Sequence, residues 1–469
     1  MLCVWKRCAA IVVAVGVGSV AAAQSSPTAF QGASIIPIDG AEIRDGYLLV
    51  HEGKIVGVGG GEAPARHDGA EVNVVDASGK VIMPGIVCTH SHIGGIGGAD
   101  GSGPIQPGVR VYESVNVRSS GFKRALAGGL TSVNIMPGSG HLLSGQTVYV
   151  KLRFDVGDDQ PDVKSIDDLA YQFKDGSPMG GLKMANGTNS QRDNGKFPGT
   201  RGRSAFLVRQ QFIKAQEYAK KIEKAGDDES KLPARDLHLE ALVDVMSGRR
   251  IVHHHTHRHD DILTVLRLAK EFGFRVVLHH VSDGHLVADE IAEAGAWVSA
   301  ILVDSPGGKH EAVGLRFDTP AKLEQAGVRT VVHTDDWITD SRIFMRMAAF
   351  AIRGGMSRQG ALEALTLAGA EMLDLSDRIG SLTPDKDADF IVLSGDPFSV
   401  YTVCEQTYVE GELAYDRSNE EDRLYAVGGY GAAHDVEPYF CCYDAEMKAM
   451  AGQGGLGSSR MGFKMRGVA

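Results

Sequence analysis

Basic charge is what this sequence has too little of. Its 48 Lys and Arg are outnumbered by 59 Asp and Glu, giving a formal net charge of -11, and no basic stripe appears. That argues against nucleic acid as a partner, because phosphate backbones are held by a local excess of Lys and Arg. Cysteine is also scarce. Six are present, none in zinc-finger or redox spacing. Long apolar runs are missing everywhere except the N-terminus. There Lys6 and Arg7 precede 8-CAAIVVAVGVGSVAAA-23, which ends in small residues. This reads as a signal peptide cleaved after Ala23, too short for a stable membrane anchor, so export to the periplasm or medium is expected. Cleavage would remove Cys3 and Cys8 and leave Cys88, Cys404, Cys441 and Cys442. A disulfide among the last three stays open.

Other motifs are absent too. There is no Gly-Lys-Ser/Thr phosphate loop. The run 57-GVGGGE-62 has no helix after it and is no dinucleotide loop, and Ser144 does not sit in a nucleophile elbow.

What is present is a change of texture along the chain. Strand-like runs, 33-ASIIPI-38, 47-YLLVHEGKIVGVG-59 and 72-VNVVDASGKVIM-83, occur early, with Glu52-Gly53 as hairpin turn. Similar runs return at 388-ADFIVLSGD-396 and 406-QTYVEGELAYD-416. Between them lie eight short apolar runs, near Val81–Val87, Thr131–Met136, Thr147–Leu152, Gly181–Ala185, Arg250–His255, Arg275–His279, Trp297–Leu302 and Arg329–His333. Helical patterns such as 260-DDILTVLRLAKEF-272 separate several of them. The expectation is an α/β chain: a (β/α)₈ TIM barrel with a small β-sandwich domain built from both chain ends. The boundaries read as signal peptide 1–23, small β domain 24–80 and 379–430, barrel 81–378, and a flexible Gly-rich tail 431–469.

In such a barrel the chemistry sits at the C-terminal ends of the strands. The first run ends in 84-PGIVCTHSH-92, where His90 and His92 are two apart and point the same way in extended chain. Two imidazoles on one side can grip a metal ion. The fourth run holds Lys183 in 181-GLKMANG-187; it could be a carboxylated metal bridge or a lysine that snorkels or pairs. The fifth, 251-IVHHHTHRHDDI-262, packs five histidines into seven positions. Strand alternation puts His253 and His255 on one face and His254 on the other. A C-terminal barrel position favours His255 as the ligand, and His257 and His259, in the turn before the helix, read as supporting or substrate-facing groups. The sixth ends in 276-VVLHHVSDGH-285, where alternation turns only one of His279 and His280 inward, His280 being nearer the strand end. The eighth ends in 331-VVHTDDWITD-340, with Asp335 or Asp336 available to hold metal and move a proton.

Together 82-IMPGIVCTHSH-92, the fifth- and sixth-strand histidines, 333-HTDD-336 and 379-IGSLTPDKDADFIVLSGDP-397 resemble the amidohydrolase superfamily, and within it imidazolonepropionase-related and prolidase-like members. The resemblance implies metal ligands His90, His92, Lys183, His255, His280 and Asp335, with Asp335 and His280 catalytic. It implies one or two divalent cations, Zn2+ by preference, two if Lys183 is carboxylated. The expected reaction is hydrolysis of a C–N bond by metal-activated water, Asp335 carrying the proton to the leaving nitrogen. Deamination, lactone or phosphoester hydrolysis, or a non-catalytic metal-binding barrel would use the same ligands. A small molecule or short peptide is the expected substrate, and a homo-oligomer is compatible. His257, His141, Gln146 and Arg201 are substrate candidates, with Tyr149, Arg192 and Arg203 beside them; an arginine would suit a substrate carboxylate.

Overall fold

The computed structural model describes residues 26–96, 100–157, 163–192, 195–302, 310–336 and 338–428. The expected signal peptide, the Gly-rich tail and Cys441 and Cys442 lie outside the described residues. No helix among the described residues is long and apolar enough to cross a membrane.

Both chain ends build one eight-stranded sheet. Val81–Pro84 runs antiparallel to Phe390–Leu393, with Phe390 opposite Pro84 and Leu393 opposite Val81. The neighbours Thr28–Ile35, Ile43–His51 and Lys54–Gly60 extend it on one side, Cys404–Val409 and Glu412–Asp416 on the other. The turn between Ile43–His51 and Lys54–Gly60 is Glu52 and Gly53, at φ 49° and 74°. Two successive left-handed residues match the twist of a two-residue hairpin. Phe30, Phe390 and Tyr408 fill the sheet's buried face, the last two stacked at 4.4 Å. Where a β-sandwich was expected, the described residues show this single sheet and a separate two-stranded ribbon.

The apolar run Val81–Val87 is therefore not one strand. It divides at Gly85 between the sheet and the first core strand, Ile86–Ser91. A Cβ on Gly85 would lie 2.2 Å from Thr131 Oγ1. Gly85→Ala is expected to destabilise the fold by about 1–3 kcal/mol through overpacking, read as a lower denaturant midpoint.

The core is TIM-barrel-like. Ile86–Ser91 pairs in parallel with Leu130–Ile135. Leu182–Ala185, Val252–Thr256, Val276–His280, Trp297–Ala300 and Thr330–Val332 form a second parallel series in chain order. The third run departs from expectation. Leu143–Gln146 pairs antiparallel with Leu182–Ala185, and Val148–Lys151 pairs antiparallel with Leu130–Ile135. The connection differs from a crossover: residues 136–147 hold the strand Leu143–Gln146 and no helix, where a parallel return needs a crossover that is usually helical. The outermost strands meet where Asp335 N–H donates to His90 O at 3.0 Å.

The antiparallel segment also ties the core to the end-built sheet. Lys151 is fully buried. Its amine donates to Asp387 and lies 3.1 Å from Asp389 Oδ2 and 3.2 Å from Glu410 Oε1. Arg153 binds both Glu410 oxygens at 2.7 and 2.8 Å. Burial alone would raise the Glu410 carboxyl, but the Arg153 hydrogen bond and the Lys151 and Arg153 charges hold it down at about 2. A depressed carboxyl stabilises the fold above its unfolded value near 4.5 and loses that contribution as pH falls toward 2. Stability is expected to drop by about 2 kcal/mol over this window, after allowing for screening at a partly exposed group. Glu410→Gln should flatten the acid limb of a urea-midpoint-against-pH curve; an unchanged limb would contradict the assignment.

Candidate metal centre

The strand ends converge on one point. His90 is the penultimate residue of the first core strand and His92 follows its end. Their Nε2 atoms lie 3.3 and 3.0 Å from the same oxygen, Asp335 Oδ1. His92 Nδ1–H donates to Met136 O at 2.7 Å, which orients the ring and leaves Nε2 facing Asp335. Asp335 sits at φ 48° just past Thr330–Val332. Aspartate is among the residues that tolerate this left-handed conformation. Asp336 is buried as well but belongs to none of the close donor groups. A ligand atom from each of His90, His92 and Asp335 lies within 4.8 Å of the other two, and His280, His333 and Asp335 form a second such group.

Around this point the interior is lined with imidazoles. His90 Nδ1 and His279 Nδ1 are 3.1 Å apart, His279 Nε2 and His253 Nδ1 3.0 Å, and His253 Nε2 meets the Tyr149 hydroxyl at 2.9 Å. His280 Nδ1 is 3.2 Å from His333 Nε2 and 3.9 Å from Asp335 Oδ2. His333 Nδ1 is fixed by Ser299 Oγ at 2.7 Å, and Ser299 by Thr89. Strand alternation was expected to turn only one of His279 and His280 inward. Both face the interior, because the backbone turns left-handed at His280 (φ 74°) and Val281 (φ 44°) and breaks the alternation at its last step.

Electrostatics follow from burial. Removal from water pushes His90, His279 and His280 well below the ordinary imidazole value, and their neighbours' positive charges add to it. Burial takes His253 and His333 down to about 3. For Asp335 burial acts upward, yet the His92 hydrogen bond and the charges of His92, His333 and Lys183 bring it to about 2. At neutral pH the rings of His90, His253, His279, His280 and His333 are therefore neutral and Asp335 is ionised, which is the donor chemistry of a divalent cation site.

Lys183 is fully buried, and its Nζ lies 3.1 Å from His90 Nε2 and 3.0 Å from Met136 Sδ. His255 is placed differently from expectation. Its ring packs 4.5 Å from His280 and 4.8 Å from His257, and its ligand atom groups with His257 and Glu311 rather than with His90 and His92. His254 bonds its Nδ1 to His255 O on the opposite strand face, and His259 opens the helix His259–Phe272.

The substrate candidates divide. His141 is buried with its ring 5.5 Å from Phe197, and Arg192 lies over the same ring at 4.6 Å. Burial and the Arg192 charge lower His141 to about 4. Gln146 donates to Pro107 O at 3.4 Å from the antiparallel segment. Arg201 is held by Asp261 at 2.9 Å and Glu311 at 3.7 Å; Arg203 is exposed near the start of the same helix. Cys88 is buried beside Thr334, its thiol pushed up to about 11, so it is no nucleophile. Sequence reasoning assigned no role to Glu311, His333 or Ser299. His333 was within reach, since it shares strand parity with Val331; Glu311 carried no local signal.

Strand ends gather imidazoles and a carboxylate about one point on a TIM-barrel-like scaffold, a donor set that could hold a divalent cation. A model of the amidohydrolase family matches residues 81–414, and the chain belongs to that family. It is 32% identical to an amidohydrolase from Thermotoga maritima, whose crystal structure aligns at a TM-score of 0.74 over 83% of this chain and 100% of that one. It is 23% identical over 440 residues to an imidazolonepropionase of Streptococcus gordonii, covering 81% of this chain and 94% of that protein. It is 27% identical over 400 residues to the amidohydrolase tasK of Hapsidospora irregularis, covering 79% of this chain but spanning only 40% of tasK.

Proposed function

We propose that this protein is an exported, metal-dependent amidohydrolase that cleaves a C–N bond in an amide, a short peptide or a cyclic amide. The observation that carries the reading is the meeting of two imidazole nitrogens at one carboxylate oxygen, His90 and His92 at Asp335 Oδ1. Held by these residues, a divalent cation, Zn2+ by its preference for nitrogen and carboxylate donors, would acidify a water and polarise a substrate carbonyl. Asp335 accepts the proton of the attacking water and delivers it to the leaving nitrogen, which would otherwise depart as a poor anion. His280, kept neutral by burial, stands 3.9 Å from Asp335 Oδ2 and can donate a hydrogen bond to the carbonyl oxygen. Lys183 sits where carboxylation of its amine would add an anionic ligand. The similarity to imidazolonepropionases supports a cyclic amide as one member of the substrate class. Export rests on the N-terminal run after Lys6 and Arg7.

Chelator treatment is expected to abolish hydrolysis and Zn2+ to restore it, measured on a panel of N-acyl amino acids, dipeptides and cyclic amides. A zinc-loaded protein that turns over no panel member, or a metal-stripped one that keeps full activity, would overturn the reading. Intact mass of the chain reports a carboxylated Lys183 directly.

A further inference from the structure

His253, His279 and Tyr149 are left unused by the proposed reaction, yet they stand in the barrel interior, where bulky branched side chains are the rule. His253 comes from Val252–Thr256, His279 from Val276–His280 and Tyr149 from the antiparallel Val148–Lys151. All three are at least nine-tenths buried. The backbone makes room for them: a Cβ on Gly181 would lie 2.4 Å from His253 Cδ2. The Tyr149 ring belongs to an apolar cluster with Val87, Ala370 and Leu373, and its hydroxyl meets His253.

These groups form an unbroken chain that ends on His90. The Tyr149 hydroxyl is 2.9 Å from His253 Nε2, His253 Nδ1 is 3.0 Å from His279 Nε2, and His279 Nδ1 is 3.1 Å from His90 Nδ1. Both ring nitrogens of His253 and of His279 are used, so one proton must lie in each contact. A second proton on any of these buried rings would be a costly charge. With one proton per ring, two arrangements satisfy all the contacts. Run from Tyr149 toward His90, the chain donates to His90 Nδ1 and leaves the proton of that ring on Nε2. Run from His90 toward Tyr149, His90 Nδ1–H donates to His279, His279 Nε2–H to His253, and His253 Nε2–H to the hydroxyl oxygen. Only the second leaves His90 Nε2 bare. The chain has to hold this arrangement against Asp335, whose Oδ1 lies 3.3 Å from His90 Nε2 and would draw a proton there.

We propose that His279, His253 and Tyr149 are positioning residues for His90: their hydrogen bonds, running from His90 to the Tyr149 hydroxyl, keep its proton on Nδ1 and its Nε2 free for a divalent cation. The role rests on His90 being a ligand of the metal centre proposed above. The three side chains have no part in the proton path assigned to Asp335. His92 reaches the same tautomer by a shorter route, since its Nδ1–H donates to Met136 O at 2.7 Å. The two ligand rings are therefore oriented by separate partners, and a change in the chain should reach His90 and spare His92.

The test is Zn2+ titration of the full chain after chelator stripping, together with proton NMR of the Co2+-loaded protein, in which the paramagnetic ion shifts the ring N–H protons of its histidine ligands. Wild type is expected to show a slowly exchanging N–H for both His90 and His92. His279→Leu removes the acceptor of His90 Nδ1–H. It should weaken Zn2+ binding by about 10- to 100-fold and cost the His90 signal, while the His92 signal stays. His279→Gln, whose amide can accept on one side and donate on the other, should restore most of both. Tyr149→Phe keeps the ring in its apolar cluster and guards against a folding failure; it should weaken binding in the same direction and speed exchange of the His90 proton. Zn2+ affinity and His90 signal unchanged in both His279→Leu and Tyr149→Phe would overturn the positioning role and leave the metal centre standing. Equal loss of the His90 and His92 signals would mean general disruption and would overturn the role as well. A wild type that binds no zinc would overturn the centre, and the positioning role with it.

Discussion

Asp335→Asn is expected to lower kcat/KM by about 10²- to 10⁴-fold, the usual worth of a positioned acid–base group. The substitution preserves size and keeps an amide oxygen in place of one carboxylate oxygen. It removes the negative charge to which His90 and His92 point at 3.3 and 3.0 Å, and it removes the only carboxylate among the three. The backbone position should survive, because the left-handed φ of 48° is one that asparagine tolerates as well as aspartate. Weaker metal binding would lower activity for a different reason, so zinc content must be measured in parallel. A variant with zinc bound and rates within a few-fold of wild type would remove Asp335 from the proton path. The expected pattern is a loss in kcat that added zinc does not restore.

The second large effect is on stability. Lys151→Met keeps most of the buried volume but deletes the charge that joins the core to the end-built sheet. Burial opposes the charge of Lys151, and the surrounding Asp389, Glu410 and Asp387 overcome that and hold it protonated. After the change Asp387 still has Lys54 at 2.6 Å and Arg378 at 2.7 Å, and Glu410 still has Arg153. Asp389 fares worse, since Lys151 is the basic side chain paired with it at 3.1 Å. Stranding a buried carboxylate costs about 3–5 kcal/mol. Burial already raises the Asp389 carboxyl in the intact protein, and loss of Lys151 raises it further. A raised carboxyl binds its proton more tightly in the folded state, so the deficit should shrink as pH falls. Adding Asp389→Asn should recover part of it at neutral pH. Denaturant midpoints of the two single variants and the double variant decide this; strict additivity would mean that the two side chains are not coupled.

The positions of His90 and His92 could be read from sequence for a plain physical reason. Side chains two apart in a strand share a face, and an apolar run ending in His-Ser-His can put both rings at only one end of one strand. The hairpin at Glu52-Gly53 was legible on similar grounds, because a turn of two left-handed residues favours a glycine. The direction of the third run was not legible and was read as parallel: residues 136–147 are long enough for a crossover but hold the strand Leu143–Gln146 instead of a helix. Its antiparallel course carries Lys151 to Asp387 and Asp389, 236 residues on in the case of the first.

The opening of the fifth-strand histidine run was only half legible. Alternation separates His254 from His253 and His255, and the structure follows that division. Which partner each ring meets is another matter. His253 joins His279 and Tyr149, and His255 joins His257 and Glu311, across gaps that no local pattern records. His279 and His280 both turn inward because a left-handed step ends the strand, and the conformation of one bond is set by what packs around it. The sequence alone thus determined which strand ends carry imidazoles and carboxylates, since that depends on period and on local order. Tertiary structure decided which of these groups meet, since that depends on distances between segments that only the folded core brings within a few ångströms.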